Sequence, residues 1–135
     1  MSEIGLTYIV DDDPLYNFGT KKIMEITSFT KQALFFLNGE EAWEDFQQRI
    51  ENNDQMPDVI LTDINMPLMN GWQLLDKIGS VSYDHPIKIF VISSSINQEE
   101  MDKAKKYDYV SDYIVKPLTL DKVKTLKVKI LEGQY

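Results

Sequence analysis

Hydrophobic positions along the chain fall into short blocks of two alternating kinds. Leu6-Thr7-Tyr8-Ile9-Val10 is a strand-like block ended by Asp11-Asp12-Asp13-Pro14, and Pro14 suits the first turn of a helix running to about Ile26. Ala33 to Leu37 predicts a second strand. Asn38 with Glu41 three residues later resembles a capping box, opening a helix that buries Ala42, Phe46 and Ile50 until Asn52-Asn53-Asp54 closes it. Asp58 to Thr62 predicts a third strand, ended abruptly at Asp63, with Met66-Pro67 and Asn70-Gly71 as turn punctuation. Gly71 to Ile78 predicts a helix with Leu74, Leu75 and Ile78 inward. Ile87 to Ile92 is nearly all apolar, as expected of a strand covered on both faces, and Ser93-Ser94-Ser95 ends it. Asn97 and Glu100 mark a fourth helix start, and Met101 and Ala104 supply its apolar stripe. Tyr113-Ile114-Val115 predicts a short fifth strand ended by Lys116-Pro117, after which Thr119 caps a helix carrying Val123, Leu126 and Ile130.

Strands alternating with helices through short connections call for an α/β fold: a doubly wound five-stranded parallel sheet wrapped by five helices, with right-handed crossovers. No internal repeat or interdomain linker interrupts the pattern, so residues 1–135 form one domain. With 43% hydrophobic and 27% charged residues the balance is that of a globular chain. The formal net charge of -8 repels phosphate backbones and anionic lipid, which argues against direct nucleic-acid or membrane partners. There is no cysteine, hence no disulfide, thiolate metal site or thiol nucleophile, and the single histidine argues against a His-based metal site. No apolar run reaches transmembrane length and no signal-like segment opens the chain, so a cytoplasmic location is expected.

The residues that end the strands are Asp11 and Asp12, Asp63, Ser93 and Lys116. In a sheet of order 2-1-3-4-5, strands 1, 3, 4 and 5 lie side by side, and ligands bind at their carboxyl ends. One pocket then holds three carboxylates, a hydroxyl and an amine. Carboxylates packed this closely repel one another and raise a pKa unless a cation intervenes. Hard oxygen ligands suit Mg2+, while the lysine and serine can hold phosphoryl oxygens. That set fits phosphoryl transfer to an aspartate, with Asp63 as the nucleophile.

Taken together in order, Val10-Asp11-Asp12-Asp13-Pro14, Thr62-Asp63-Ile64-Asn65-Met66-Pro67 with Met69-Asn70-Gly71, Val91-Ile92-Ser93-Ser94 and Tyr113-Ile114-Val115-Lys116-Pro117 resemble the response-regulator receiver domain of two-component signalling. The resemblance runs from first strand to last and implies the flavodoxin-like receiver fold. It implies Asp63 as phosphoacceptor and Asp11 and Asp12 as Mg2+ ligands, with Asn65 adding its main-chain carbonyl. Ser93 and Tyr113 would be the switch pair, Lys116 the lysine that contacts the phosphoryl group, and Lys116-Pro117 a cis peptide. The implied phosphodonor is a histidine kinase, a phosphotransfer protein or a small phosphodonor. The implied reader is a protein bound at the face of the fourth helix, fifth strand and last helix. Such a domain is not a turnover enzyme; it accepts a phosphoryl group and slowly loses it, as a monomer or a phosphorylation-dependent dimer. A pseudo-receiver that binds partners without phosphorylation is the alternative, against which the complete acid set argues.

Other readings compete at single residues. Tyr113 alone reads as a packed strand aromatic, and only its place before Lys116 makes it a switch candidate. Tyr107 and Tyr109 fit either packing or a partner surface, Trp43 and Trp72 read as structural helix residues, and His85 reads as a solvated loop residue. A flavin mononucleotide protein would need a phosphate cradle where Asp11-Asp12-Asp13 stands. An aspartate-nucleophile phosphatase would need a second acid where Asn65 stands. The chain ends soon after its last helix, which fits a stand-alone regulator or the receiver of a longer protein.

Overall fold

The computed structural model describes residues 2–135. Strands and helices alternate: β1 Leu6–Val10, α1 Pro14–Thr27, β2 Gln32–Phe36, α2 Gly39–Glu51, β3 Val59–Thr62, α3 Gly71–Gly79, β4 Lys88–Ser93, α4 Gln98–Lys105, β5 Val110–Val115 and α5 Leu120–Leu131. The strands pair in parallel as one sheet of order β2-β1-β3-β4-β5, the predicted doubly wound topology.

Side-chain alternation along the buried strands builds two cores. Tyr8, Val10, Ile60, Ile89 and Val91 face α2, α3 and α4, where Phe46, Leu74, Leu75 and Ile78 meet them. Ile9, Val59, Leu61, Phe90 and Ile92 face α1 and α5 and pack on Met24, Val123, Leu126 and Ile130. Each fully buried large side chain contributes about 1.5–3 kcal/mol, and this double cover explains why β3 and β4 read as continuous apolar runs. Tyr8 puts a hydroxyl into the first core, and Asp45 accepts its hydrogen bond while also pairing with Arg49 Nε at 2.7 Å.

Three details depart from the sequence reading. β5 begins at Val110 rather than Tyr113, because Ile89 pairs with Val110 and Phe90 with Asp112, leaving Ser111 as the extra residue of a bulge. Polar Ser111 and Asp112 on an edge strand conceal that extension from a hydrophobicity pattern. β2 is likewise shifted by one residue, leaving Leu37 exposed. His85 is not simply solvated: its Nε2 lies 2.6 Å from Asp58 Oδ1, and Asp58 Oδ2 accepts from the Gly5 amide at 2.7 Å. Trp43 stacks on Phe46, whereas Trp72 stacks on Tyr107 with centroids 5.8 Å apart; both tryptophans are packing residues. Tyr109 donates to the Leu75 carbonyl at 2.6 Å. No helix among the described residues is long and apolar enough to cross a membrane.

Candidate functional site

The carboxyl edge of the sheet gathers its charged residues because β1 and β3 end in register, Val10 beside Thr62, while β4 runs two residues further and ends level with β5, Ser93 beside Val115. Asp11 follows β1 directly and is 2% exposed; its amide donates to Phe36 O at 3.0 Å, extending the ladder one residue beyond the strand. Its Oδ1 accepts from the Asp13 amide at 2.9 Å, and the Asn17 side chain donates to its carbonyl, also at 2.9 Å. Asp13, which the sequence reading left without a role, is the N-cap of α1, accepting from the amides of Leu15 and Tyr16. That leaves the exposed Asp12 side chain free of capping duty. One carboxylate oxygen each from Asp11, Asp12 and Asp63 lies within 4.8 Å of the others, so the three acids converge as expected.

Asp63 is fixed by β3 and by the loop that follows. Its amide donates to Val10 O at 2.8 Å, its Oδ1 accepts from the Ile64 amide at 2.8 Å, and the buried Thr62 hydroxyl donates to its carbonyl. The Gly71 amide reaches back to Ile64 O at 2.8 Å, an approach open only to glycine, since a Cβ there would lie 2.2 Å from Asp63 O. From the other side Gly39 N donates to Met69 O at 2.9 Å. The loop's tip, Leu68, sits at φ +65° beneath a Met69 N to Pro67 O bond. Asn65 is exposed on this loop.

Lys116 enters from the end of β5. Its Nζ donates to Asp11 Oδ2 at 2.6 Å and to Asp63 Oδ2 at 3.2 Å, and the Lys116-Pro117 peptide is cis. The Tyr16 ring lies 4.3 Å from the same ammonium, and the buried Tyr16 hydroxyl has no hydrogen-bond partner among the described residues. Tyr16 thus belongs to the site, although a helix aromatic gave no sign of it in the sequence.

The electrostatics follow from this packing. Burial raises the Asp63 pKa above its usual 3.8, with Asp11 adding to the effect and the Ile64 amide and Lys116 opposing it. Repulsion between acids is therefore real but secondary to burial. For Lys116, burial pulls the pKa down, but the hydrogen bond to Asp11 and the attraction of both carboxylates outweigh it, and the net direction is up.

Ser93 does not offer its proton to this pocket. Its hydroxyl donates to Glu100 Oε1 at 2.8 Å. The Tyr113 hydroxyl is already tucked against the same loop, 2.9 Å from Ser95 O and 3.0 Å from Glu100 Oε1. Glu100, noted in the sequence only as a helix-start residue, is thus the hub between the two expected switch residues.

Residues 7–127 match the family model of the response regulator receiver domain. The chemotaxis protein CheY1 of Helicobacter pylori is 35% identical over 96 residues, covering 71% of this chain and 72% of that protein. The two-component response regulator ORR2 of Oryza sativa subsp. japonica is 35% identical over 75 residues, which is 56% of this chain and 29% of that longer protein. A solved two-component response regulator from Cytophaga hutchinsonii superposes with a TM-score of 0.83 at 28% identity, covering 96% of this chain and 98% of that one. On its fold and the match across nearly its whole length, the chain belongs to the response regulator receiver domain family of two-component signalling.

Proposed function

We propose that Asp63 accepts a phosphoryl group in a Mg2+-dependent reaction, from a histidine kinase, a phosphotransfer protein or a small phosphodonor. The observation that carries this reading is the convergence of Asp11, Asp12 and Asp63 within 4.8 Å, with Lys116 bridging two of them. Three carboxylates with hard oxygen donors suit Mg2+, which Asp11, Asp12 and Asp63 would hold, with the Asn65 carbonyl as a further ligand. When bound, the ion supplies positive charge that lets an anionic nucleophile meet an anionic phosphoryl group.

An Asp63 carboxylate oxygen attacks phosphorus in line with the leaving group. The new bond is O–P; the bond that breaks is P–N of a phosphohistidine, or P–O of an acyl phosphate, whose electron pair departs with the leaving atom. The Ile64 amide orients the carboxylate by holding Oδ1, which leaves Oδ2 as the attacking oxygen. Lys116, released from Asp63 Oδ2 as that oxygen bonds phosphorus, donates to a phosphoryl oxygen instead, while Asp11 keeps the ammonium at the pocket. Ser93 supplies a second donor once its hydroxyl turns inward. The α4–β5–α5 face, which carries Tyr113, then presents a changed surface to a downstream protein.

Incubation with Mg2+ and acetyl phosphate, followed by intact-mass measurement, tests the reading. The parent should gain one phosphoryl group, and Asp63→Asn none. A variant that still gained the group would refute the assignment.

A further inference from the structure

Glu100 stands at the third position of α4, where an acid three residues after an Asn cap ordinarily closes a capping box by reaching back to the cap's own amide. α3 does this in full: Asn70 accepts from Gln73 N, and Gln73 accepts from Asn70 N, both at 2.9 Å. α4 completes only half. Asn97 Oδ1 accepts from the amides of Glu99 and Glu100, but the Asn97 amide donates to Ser95 Oγ at 3.0 Å. The Glu100 carboxylate is thereby released from capping and turns toward the sheet, where a single oxygen meets both the Ser93 and the Tyr113 hydroxyls.

A serine hydroxyl has one hydrogen to give. Given to Glu100, that hydrogen is withheld from a phosphoryl oxygen on Asp63. We propose that Glu100 is a positioning residue that holds Ser93 and Tyr113 in their phosphoryl-free arrangement and competes with the phosphoryl group for the Ser93 proton. The proposal rests on Asp63 being the phosphoacceptor. Ser93 is 3% exposed, so no bulk water stands ready to replace Glu100 as its partner, and the exchange is between two anions: the carboxylate and the phosphoryl group. The Tyr113 hydroxyl likewise has one hydrogen, shared between Ser95 O at 2.9 Å and Glu100 Oε1 at 3.0 Å. When Ser93 leaves, the freed Glu100 carboxylate draws that hydrogen from Ser95, which links the state of the pocket to the α4–β5 surface through one side chain.

Beryllofluoride in Mg2+, titrated while amide resonances are followed, serves as the phosphoryl probe. Breaking a charge-assisted bond that opposes binding should tighten the apparent Kd about tenfold in Glu100→Ala. Glu100→Gln, which keeps the shape and an acceptor oxygen but loses the charge, should fall between parent and Ala. In a Ser93→Ala background the same Glu100→Ala change should leave the Kd unaltered, because the contested proton is gone. A residue that merely supports α4 would lower stability in both backgrounds without tightening the probe. Unchanged or weaker binding in Glu100→Ala, or equal tightening with and without Ser93, overturns the proposal. A parent that binds no beryllofluoride in Mg2+ overturns the phosphoacceptor reading itself, and this proposal with it.

Discussion

Asp63 carries a cost that its position imposes. Its pKa is raised, chiefly by burial, so the folded chain resists ionising it more than the unfolded chain does. Below the unfolded value near 3.8 both states hold the proton and no penalty exists; as pH climbs the deficit grows, and it is complete above the folded value. Asp63→Asn removes a titrating group, so its urea midpoint should rise relative to the parent as pH climbs above 3.8. A difference that shrank with rising pH would contradict this account. Lys116 has the opposite sign: its raised pKa contributes stability that is lost only as pH rises beyond its usual 10.5. The charged members of the site were legible in the sequence because Asp11, Asp63 and Lys116 are each the first residue after a strand and Asp12 directly follows Asp11. Tyr16 and Glu100 were not, because a helix aromatic and a helix-start acid have ordinary local uses, and only the third dimension sets them against Lys116 and Ser93.

Elements deliver these side chains through tight connections rather than through long-range packing alone. The β3–α3 loop is held from both sides, by Gly71 N to Ile64 O and by Gly39 N to Met69 O. A methyl at position 71 would lie 2.2 Å from Asp63 O and 2.9 Å from Ile64 Cα, and both are backbone atoms of the loop that carries the proposed phosphoacceptor. Gly71→Ala should therefore cost about 1–3 kcal/mol in urea unfolding, as overpacked sites do, and slow phosphorylation by displacing Asp63. A parent-like midpoint and rate would show the loop to be looser than this. Element order was legible because the buried strands are apolar throughout and each helix has a capping residue. β5 was read short because Ser111 and Asp112 mask an edge strand with a bulge, a feature that pairing creates and composition does not announce. The cap of α1 was also hidden: three aspartates in a row are equivalent in sequence, and only geometry gives Asp13 the cap and leaves Asp12 to the pocket.

At the scale of the molecule, two cores hold up one sheet whose carboxyl edge concentrates negative charge against a single bridging ammonium. A cation that binds this assembled edge, and not the unfolded chain, stabilises the whole domain by RT ln(1 + [L]/Kd). At a hundredfold excess of Mg2+ over Kd that is about 2.7 kcal/mol, or on the order of 10 °C in Tm for a chain of this length. Because Asp13 rather than Asp12 caps α1, Asp12→Ala should leave the helix intact, raise the metal-free Tm slightly and remove most of the Mg2+ response in scanning calorimetry. A metal-free variant less stable than the parent would show that Asp12 supports the fold. The central claim, that this edge exists to phosphorylate Asp63, is tested most directly by locating the phosphoryl group. The protein is treated with acetyl phosphate in Mg2+, reduced with borohydride, which converts an aspartyl phosphate to homoserine, and mapped by peptide mass spectrometry. The account predicts homoserine at position 63 and nowhere else. Homoserine at Asp11 or Asp12, or a phosphoryl group that survives reduction on a serine or on His85, would contradict it.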